Sequence, residues 1–242
     1  MSNSYFKFKQ FTIYQDNCAM KVGTDGALLG AWCSFPQKGM ILDIGCGTGL
    51  ISIMAAQRTE ALVDGVEIDQ NAYKQAQENV ALTPWKNRIN LYFNDFNLFA
   101  QNTTTQYDYI VSNPPFFKDS LLSPSTSRNN ARHTISLNYE TLFSKSTNLL
   151  KPKGKIAIIF PYELENYIFS IALFYQFYPI RITRVKGHAK RPIKRIITEW
   201  GRELVEYKSD ELNIESIPGT YIFITRFLLK ILANCFSPLN SF

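Results

Sequence analysis

From residue 40 onward, short apolar runs alternate with longer stretches whose apolar positions recur every three or four residues. Met40–Ile44, Leu62–Ile68, Ile89–Phe93, Tyr107–Val111, Lys155–Phe160 and Pro179–Val185 are rich in aliphatic, β-branched and aromatic residues and read as strands. Leu50–Arg58, Gln70 to about Leu82, Tyr139–Leu150 and Glu163–Phe174 read as helices. Lys151-Pro152-Lys153-Gly154 stops the third of these. Ile193–Trp200 and Glu203–Tyr207, split by Gly201-Arg202, read as a last strand or a hairpin. Residues 1–30 are mixed and aromatic, with a turn signal at Lys21–Gly26. Strands alternating with helices predict an α/β fold, a parallel sheet covered by helices on both faces. Ligands of such sheets bind beyond the carboxyl ends of the strands.

Composition narrows this further. With 45% hydrophobic residues, the 242-residue chain can bury a large core and is not disordered. It shows no internal repeat or low-complexity linker and reads as one domain: an N-terminal segment 1–39, a core 40–208 and a C-terminal extension 209–242. The net charge is +6, and nine Lys/Arg against three Glu between Arg181 and Lys208 account for a surplus of that size. That concentration suggests an anionic partner. Cys18, Cys33, Cys46 and Cys235 lack CxxC or zinc-site spacing, and neither His133 nor His188 has a carboxylate at ligand spacing. Reduced thiols and no metal are therefore expected. The N-terminus has no apolar signal-peptide core, and no run of 18 apolar residues occurs. A cytoplasmic protein without a spanning helix is expected.

Three motifs end the first three strands. "LDIGCGTGL" (Leu42–Leu50) leaves the first strand and opens a helix. Gly45, Gly47 and Gly49 let the backbone turn tightly and approach a ligand. Asp43 places a carboxylate beside that loop, which suits a cationic amine better than a pyrophosphate. "VDGVEIDQ" (Val63–Gln70) ends the second strand in Glu67, positioned 18 residues after Gly49 to take both hydroxyls of a ribose. Asp69 reads as the N-cap of the next helix. "YFNDF" (Tyr92–Phe96) ends the third strand, where Asp95 is either an acceptor for an adenine amino group or a simple loop acid.

"VSNPPFF" (Val111–Phe117) ends the fourth strand. Pro114 and Pro115 fix φ, remove N–H donors and push Asn113 out of the helical region. Asn113 contributes an amide, the prolines unsatisfied carbonyls, and Phe116 a flat face for stacking. Such a tip can grip a planar group carrying an NH2. By itself it can equally be a proline-rich strand exit.

In this order the motifs resemble the class I S-adenosylmethionine-dependent methyltransferases. The resemblance implies a Rossmann-like, mostly parallel seven-stranded sheet with helices on both faces and S-adenosylmethionine as cofactor. Asn-Pro-Pro-aromatic marks members that methylate exocyclic or amide nitrogens. By resemblance, Asn113 and the Pro114 carbonyl take the two hydrogens of the target NH2, with Phe116 stacked on the base. The flanks match more closely. "CAMKVGTDGALLGAW" (Cys18–Trp32) and "RNNARH" (Arg128–His133) resemble segments of the bacterial tRNA(Val) adenine-37 N6-methyltransferases. That resemblance implies tRNA(Val) as partner, with Lys21, Thr24 and Asp25 closing over the cofactor or substrate edge. Thr24-Asp25-Gly26 also fits a helix N-cap.

Arg128, Arg132 and His133 are candidates for substrate-phosphate contact or for structural loop contacts. In "KGHAKRPIKR" (Lys186–Arg195), Lys190, Arg191, Lys194 and Arg195 fit a phosphate backbone or a solvated face. Methylation of guanine N2 in ribosomal RNA or of glutamine N5 in a release factor is the neighbouring reading. A non-catalytic RNA-binding module is the reading of another class, and intact Asp43, Glu67 and Asn113 argue against it. The last 22 residues depart from the family's usual ending. Arg226, Lys230 and Asn234 line an otherwise apolar stretch that reads as a helix docked on the sheet or on a partner chain.

Overall fold

A computed structural model describes residues 4–16, 18, 20–115, 138–217, 220 and 221. Seven strands form the expected sheet: β3 (Met40–Ile44), β4 (Leu62–Glu67), β5 (Ile89–Phe93), β6 (Tyr107–Ser112), β7 (Leu150–Pro161), β8 (Tyr178–His188) and β9 (Ile193–Gly201). Their order is β5-β4-β3-β6-β7-β9-β8. All run parallel except β9, which is antiparallel to both β7 and β8. The chain reverses at β3, where β4 and β6 lie on opposite sides, so the carboxyl ends of these strands frame a crevice.

The sheet is larger than the seven strands expected. Beyond β8 it continues through β10 (Lys208–Ile217), parallel to β8, and the two-residue β11 (Thr220–Tyr221), giving nine strands. Glu203–Tyr207, read as a strand, is instead the connection into β10. The pattern KSDELNIESI hides β10 because few of its residues are apolar. Its Leu212 is buried and Ile214 packs on the core, while its polar groups bind their neighbour strand. Arg184 donates to Ser209 at 2.9 Å and Lys186 pairs with Glu211 at 2.6 Å.

Helices α1 (Thr24–Trp32), α2 (Leu50–Arg58) and α3 (Gln70–Ala81) cover one face; α4 (Phe96–Asn102), α5 (Tyr139–Leu149) and α6 (Glu165–Phe174) cover the other. Successive strand residues point to opposite faces. Accordingly Ile41, Tyr109, Val111 and Ile159 pack with Leu29, Ile53 and Met54, whereas Leu42, Ile110, Ile158 and Phe160 pack with Phe96, Phe143 and Ile168. A hairpin of β1 (Tyr5–Lys7) and β2 (Thr12–Tyr14) joins the first face through Phe8, Phe11 and Ile13. No helix among the described residues is long and apolar enough to cross a membrane.

Candidate active site

The glycine loop leaves β3 with φ of +70°, +56° and +80° at Gly45, Gly47 and Gly49, a region open to glycine at little cost. The three glycines divide the work. A Cβ at Gly45 or Gly47 would meet nothing within 4 Å, so that side of the loop faces open space. A Cβ at Gly49 would touch Ala76 at 3.4 Å, so this glycine allows α3 to pack beside the N-cap of α2. The loop is tied to β4. Gly45 and Cys46 donate to the Val66 carbonyl at 2.9 and 3.1 Å, and Gly47 donates to Glu67 Oε2 at 2.8 Å.

Glu67 is mostly buried, and its other oxygen accepts from Ile68 and Asp69 N–H at 2.9 and 2.8 Å. One carboxylate thus shapes both the glycine loop and the tip of β4. Asp69 caps α3 by accepting from Ala72 N–H at 2.8 Å, as its place in the sequence implies. Asp43 lies beneath the loop, 1% exposed. Its Oδ2 accepts from Ser52 Oγ at 2.6 Å, while Oδ1 has no partner. Burial pushes this carboxyl up to about 7, opposed by the Ser52 bonds and reinforced by Glu67. Asp95 is the N-cap of α4, its Oδ1 accepting from Asn97 and Leu98 N–H at 2.8 and 3.2 Å. Asp95 therefore has a structural task that the sequence pattern did not reveal.

The fourth tip is anchored as well. Ser112 Oγ donates to the Ile44 carbonyl at 2.8 Å, holding β6 to β3 one residue before Asn113. Asn113 is half-buried, Pro114 buried and Pro115 half-buried. A Cβ on Gly26 would lie 3.5 Å from Asn113 Nδ2, so the first turn of α1 walls in the amide. The N-cap of α1 is Gly23, without a side-chain bond, and Thr24 is the first helical residue. Thr24-Asp25-Gly26 is thus the first turn and not the cap. Asp25 instead pairs with Arg195 Nε at 2.8 Å, joining α1 to β9. Arg195 thus reaches the helix that walls in Asn113.

Lys21 and Thr24 are exposed ahead of this wall. Burial pushes the Cys18 thiol up to about 11, with Asp69 and Glu67 adding to the shift and Lys21 opposing it. Cys18 therefore lies within electrostatic reach of Lys21 and of Glu67 and Asp69 at the β4 tip. A side chain the motifs did not mark holds the base of this entry segment. Asn79, fully buried on α3, accepts from Tyr14 N–H at 2.8 Å and donates at 2.9 Å to both the Tyr14 and Thr48 carbonyls. Its signal in the sequence is an amide on the buried stripe Ala72, Gln75, Ala76, Asn79, Val80.

The β8–β9 turn reaches the same edge of the sheet. Arg195 faces Pro161 at the carboxyl end of β7, which lies beside β6. The turn exposes Lys190, Arg191 and Lys194, and His188 shapes it by accepting from Lys190 N–H through Nδ1 at 3.1 Å. Phe116, Arg128, Arg132, His133 and the 222–242 segment lie outside the described residues. Among the described residues no group of three or more His, Cys, Asp and Glu converges as a metal site.

Comparison with known proteins agrees with this geometry. The methyltransferase small domain family matches residues 26–169. A protein of Parabacteroides distasonis named tRNA1(Val) (adenine(37)-N6)-methyltransferase is 45% identical over 216 residues, covering 89% of this chain and 91% of that one. Proteins of the same name from Bacteroides fragilis and Bacteroides thetaiotaomicron are 43% and 48% identical, covering 96% and 79% of this chain and 100% and 82% of theirs. Among solved structures, a predicted O-methyltransferase from Agrobacterium tumefaciens superposes with a TM-score of 0.68 at 17% identity, covering 90% of this chain and all of that one. A methyltransferase from Pyrococcus furiosus gives 0.56 at 15% identity, covering 77% and 90%. At these identities the structures speak for the fold alone.

Proposed function

The chain belongs to the methyltransferase small domain family, among the tRNA1(Val) (adenine(37)-N6)-methyltransferases, and from that premise we propose that it methylates N6 of adenine 37 in tRNA(Val). The observation that carries this reading is the Asn113-Pro114-Pro115 tip, anchored through Ser112 beside the glycine-loop strand and walled by α1.

The residues present fit S-adenosylmethionine. The open side of Gly45 and Gly47 admits a ligand against backbone, and Asp43 keeps one buried oxygen without a partner. In this reading Asp43 Oδ1 receives the cofactor's ammonium group, directly or through a water, while Glu67 Oε2 accepts from a ribose hydroxyl. Asp95 Oδ2 takes the adenine amino group, and Lys21 and Thr24 close over the site. The bound cofactor supplies an electrophilic methyl group on a sulfonium.

Everything else is done by the chain. The lone pair of an aryl NH2 is delocalised into the ring and is a poor nucleophile. Asn113 Oδ1 and the Pro114 carbonyl accept its two N–H bonds, favouring a pyramidal nitrogen whose lone pair points at the methyl group. The proline pair and the Ser112–Ile44 bond hold these acceptors in place before substrate arrives. As the N–C bond forms and the methyl group's bond to sulfur breaks, the nitrogen becomes acidic and its proton leaves through the same acceptors to solvent, so no strong base is required. Phe116 stacks on the base. Lys190, Arg191 and Lys194 contact phosphates, with Arg128, Arg132 and His133 as further contacts. The reaction takes place in the cytoplasm, where tRNA is found.

The test is nucleoside mass spectrometry after incubating the purified protein and S-adenosylmethionine separately with tRNA(Val) transcript, ribosomal RNA and release factor. N6-methyladenosine in the tRNA alone is expected. N2-methylguanosine in the ribosomal RNA or methylglutamine in the release factor would replace the proposal.

A further inference from the structure

We propose that the outward face of the β1–β2 hairpin is a second nucleic-acid contact, a stacking surface for an unpaired base of the RNA. The proposal rests on the tRNA reading above and adds a surface that the glycine loop, the Asn113 tip and the basic turn do not include.

The register sets Tyr5 opposite Tyr14, Phe6 opposite Ile13 and Lys7 opposite Thr12. Strand alternation turns Ile13, fully buried, into the core and leaves Tyr5, Lys7, Thr12 and Tyr14 on the other face. Tyr5 and Tyr14 are 51% and 40% exposed, with ring centroids 6.2 Å apart. Between Ser4 and Gln15 the only charged residues are Lys7 and Lys9, both cationic and exposed. An aromatic pair on a hairpin whose own charges are two lysines, with exposed Asp16 just beyond it, matches a polyanion that carries stackable faces.

The hairpin is also held in the right place. Asn79 donates from one nitrogen to the carbonyls of Tyr14 and of Thr48 in the glycine loop. Two 2.9 Å bonds from one atom put those oxygens within about 6 Å of each other, inside hydrogen-bond reach of a single amide. The tyrosine pair therefore stands at the rim of the cofactor loop, not at the opposite end of the sheet. The hairpin that carries it is packed before any ligand binds. Phe8 stacks on Phe11 at 4.5 Å, Phe11 meets Trp85 edge-on, and Gln15 N–H donates to the Ser4 carbonyl at 2.8 Å. A preorganised aromatic surface loses little conformational entropy on capture of a base.

The experiment measures binding of the tRNA(Val) transcript, and its methylation, for wild type, Tyr5→Ala/Tyr14→Ala, Tyr5→Phe/Tyr14→Phe and Lys7→Ala. Both tyrosines lie on the surface, so their truncation leaves the core packing intact. The double alanine variant is expected to weaken tRNA binding about tenfold or more, the scale of lost base stacking. Its kcat at saturating tRNA and its affinity for S-adenosylmethionine should match wild type. The double phenylalanine variant should bind like wild type, because stacking needs the ring and not the hydroxyl. Lys7→Ala should weaken binding and lower its salt dependence. Unchanged tRNA binding in the double alanine variant overturns the proposal. So does a phenylalanine variant as impaired as the alanine one, or an equal loss of cofactor affinity. A wild-type dimer in sedimentation that the alanine variant dissociates would assign the face to a second copy and also overturn it. Wild-type protein that binds tRNA(Val) through this face but forms no N6-methyladenosine would instead refute the assigned reaction and leave the surface standing.

Discussion

Replacing Glu67 by glutamine should damage the protein twice, once without cofactor and again with it. The carboxylate accepts three backbone N–H bonds, from Gly47 at 2.8 Å, Ile68 at 2.9 Å and Asp69 at 2.8 Å. A glutamine can keep an oxygen toward Ile68 and Asp69, but its NH2 must then face the Gly47 N–H, donor against donor. A hydrogen bond to a buried charged group is worth about 1.5–3 kcal/mol, and the two remaining bonds lose their ionic part. A loss of about 2–4 kcal/mol in the cofactor-free protein follows, or roughly 5–15 °C in Tm for a chain of this size. Cofactor affinity should fall by about ten- to a hundredfold, because a ribose acceptor and the loop's fixed shape go together. Calorimetric melting without ligand and titration with S-adenosylmethionine measure the two effects separately. An unchanged melting temperature would show that Glu67 does not shape the loop. Unchanged affinity would remove it from the cofactor site.

Two further predictions concern charge. Asp43, raised by burial to about 7, keeps a proton in the native state that the unfolded chain releases near 3.8. Its contribution to stability is full below that lower value and is lost as pH rises through 7, at up to about 1.4 kcal/mol per pH unit. In urea unfolding, Asp43→Asn should therefore gain stability relative to wild type between pH 5 and 8; parallel profiles would contradict the assignment. Replacing Lys190, Arg191 and Lys194 by alanine should weaken tRNA binding and reduce its logarithmic salt slope by roughly one unit per lost phosphate contact. Cofactor affinity should hold, and an unaltered slope would return the turn to an ordinary solvated surface.

Much of the sheet is legible because its central strands are buried on both faces. β3, α2 and β5 follow the apolar runs residue for residue, and Asp69 caps α3 as its position implies. The elements the pattern hides have physical reasons for being hidden. α1 is apolar on nearly every side, so it shows no polar face to set a helical period. α4 is only seven residues long, held by Asp95 and two buried phenylalanines. β10 is a polar strand near the margin of the sheet whose stability comes from pairing with β8. Partnerships across the chain are the least visible. Nothing local indicates that Asn79 joins Tyr14 to Thr48, or that Arg195 belongs to Asp25, 170 residues away. The motifs name the ends of strands, while the contacts that aim them come from distant segments.

If the Asn113 amide holds the target NH2 during transfer, single-turnover methylation of tRNA(Val) at saturating cofactor depends on it. Wild type should form N6-methyladenosine at position 37. Asn113→Ala should bind S-adenosylmethionine and tRNA nearly as well, yet react about a hundredfold slower or worse, because the lost acceptor acts chiefly in the transition state. An Asn113→Ala protein that methylates at close to the wild-type rate would contradict the account and leave the Asn-Pro-Pro tip as no more than the end of a strand.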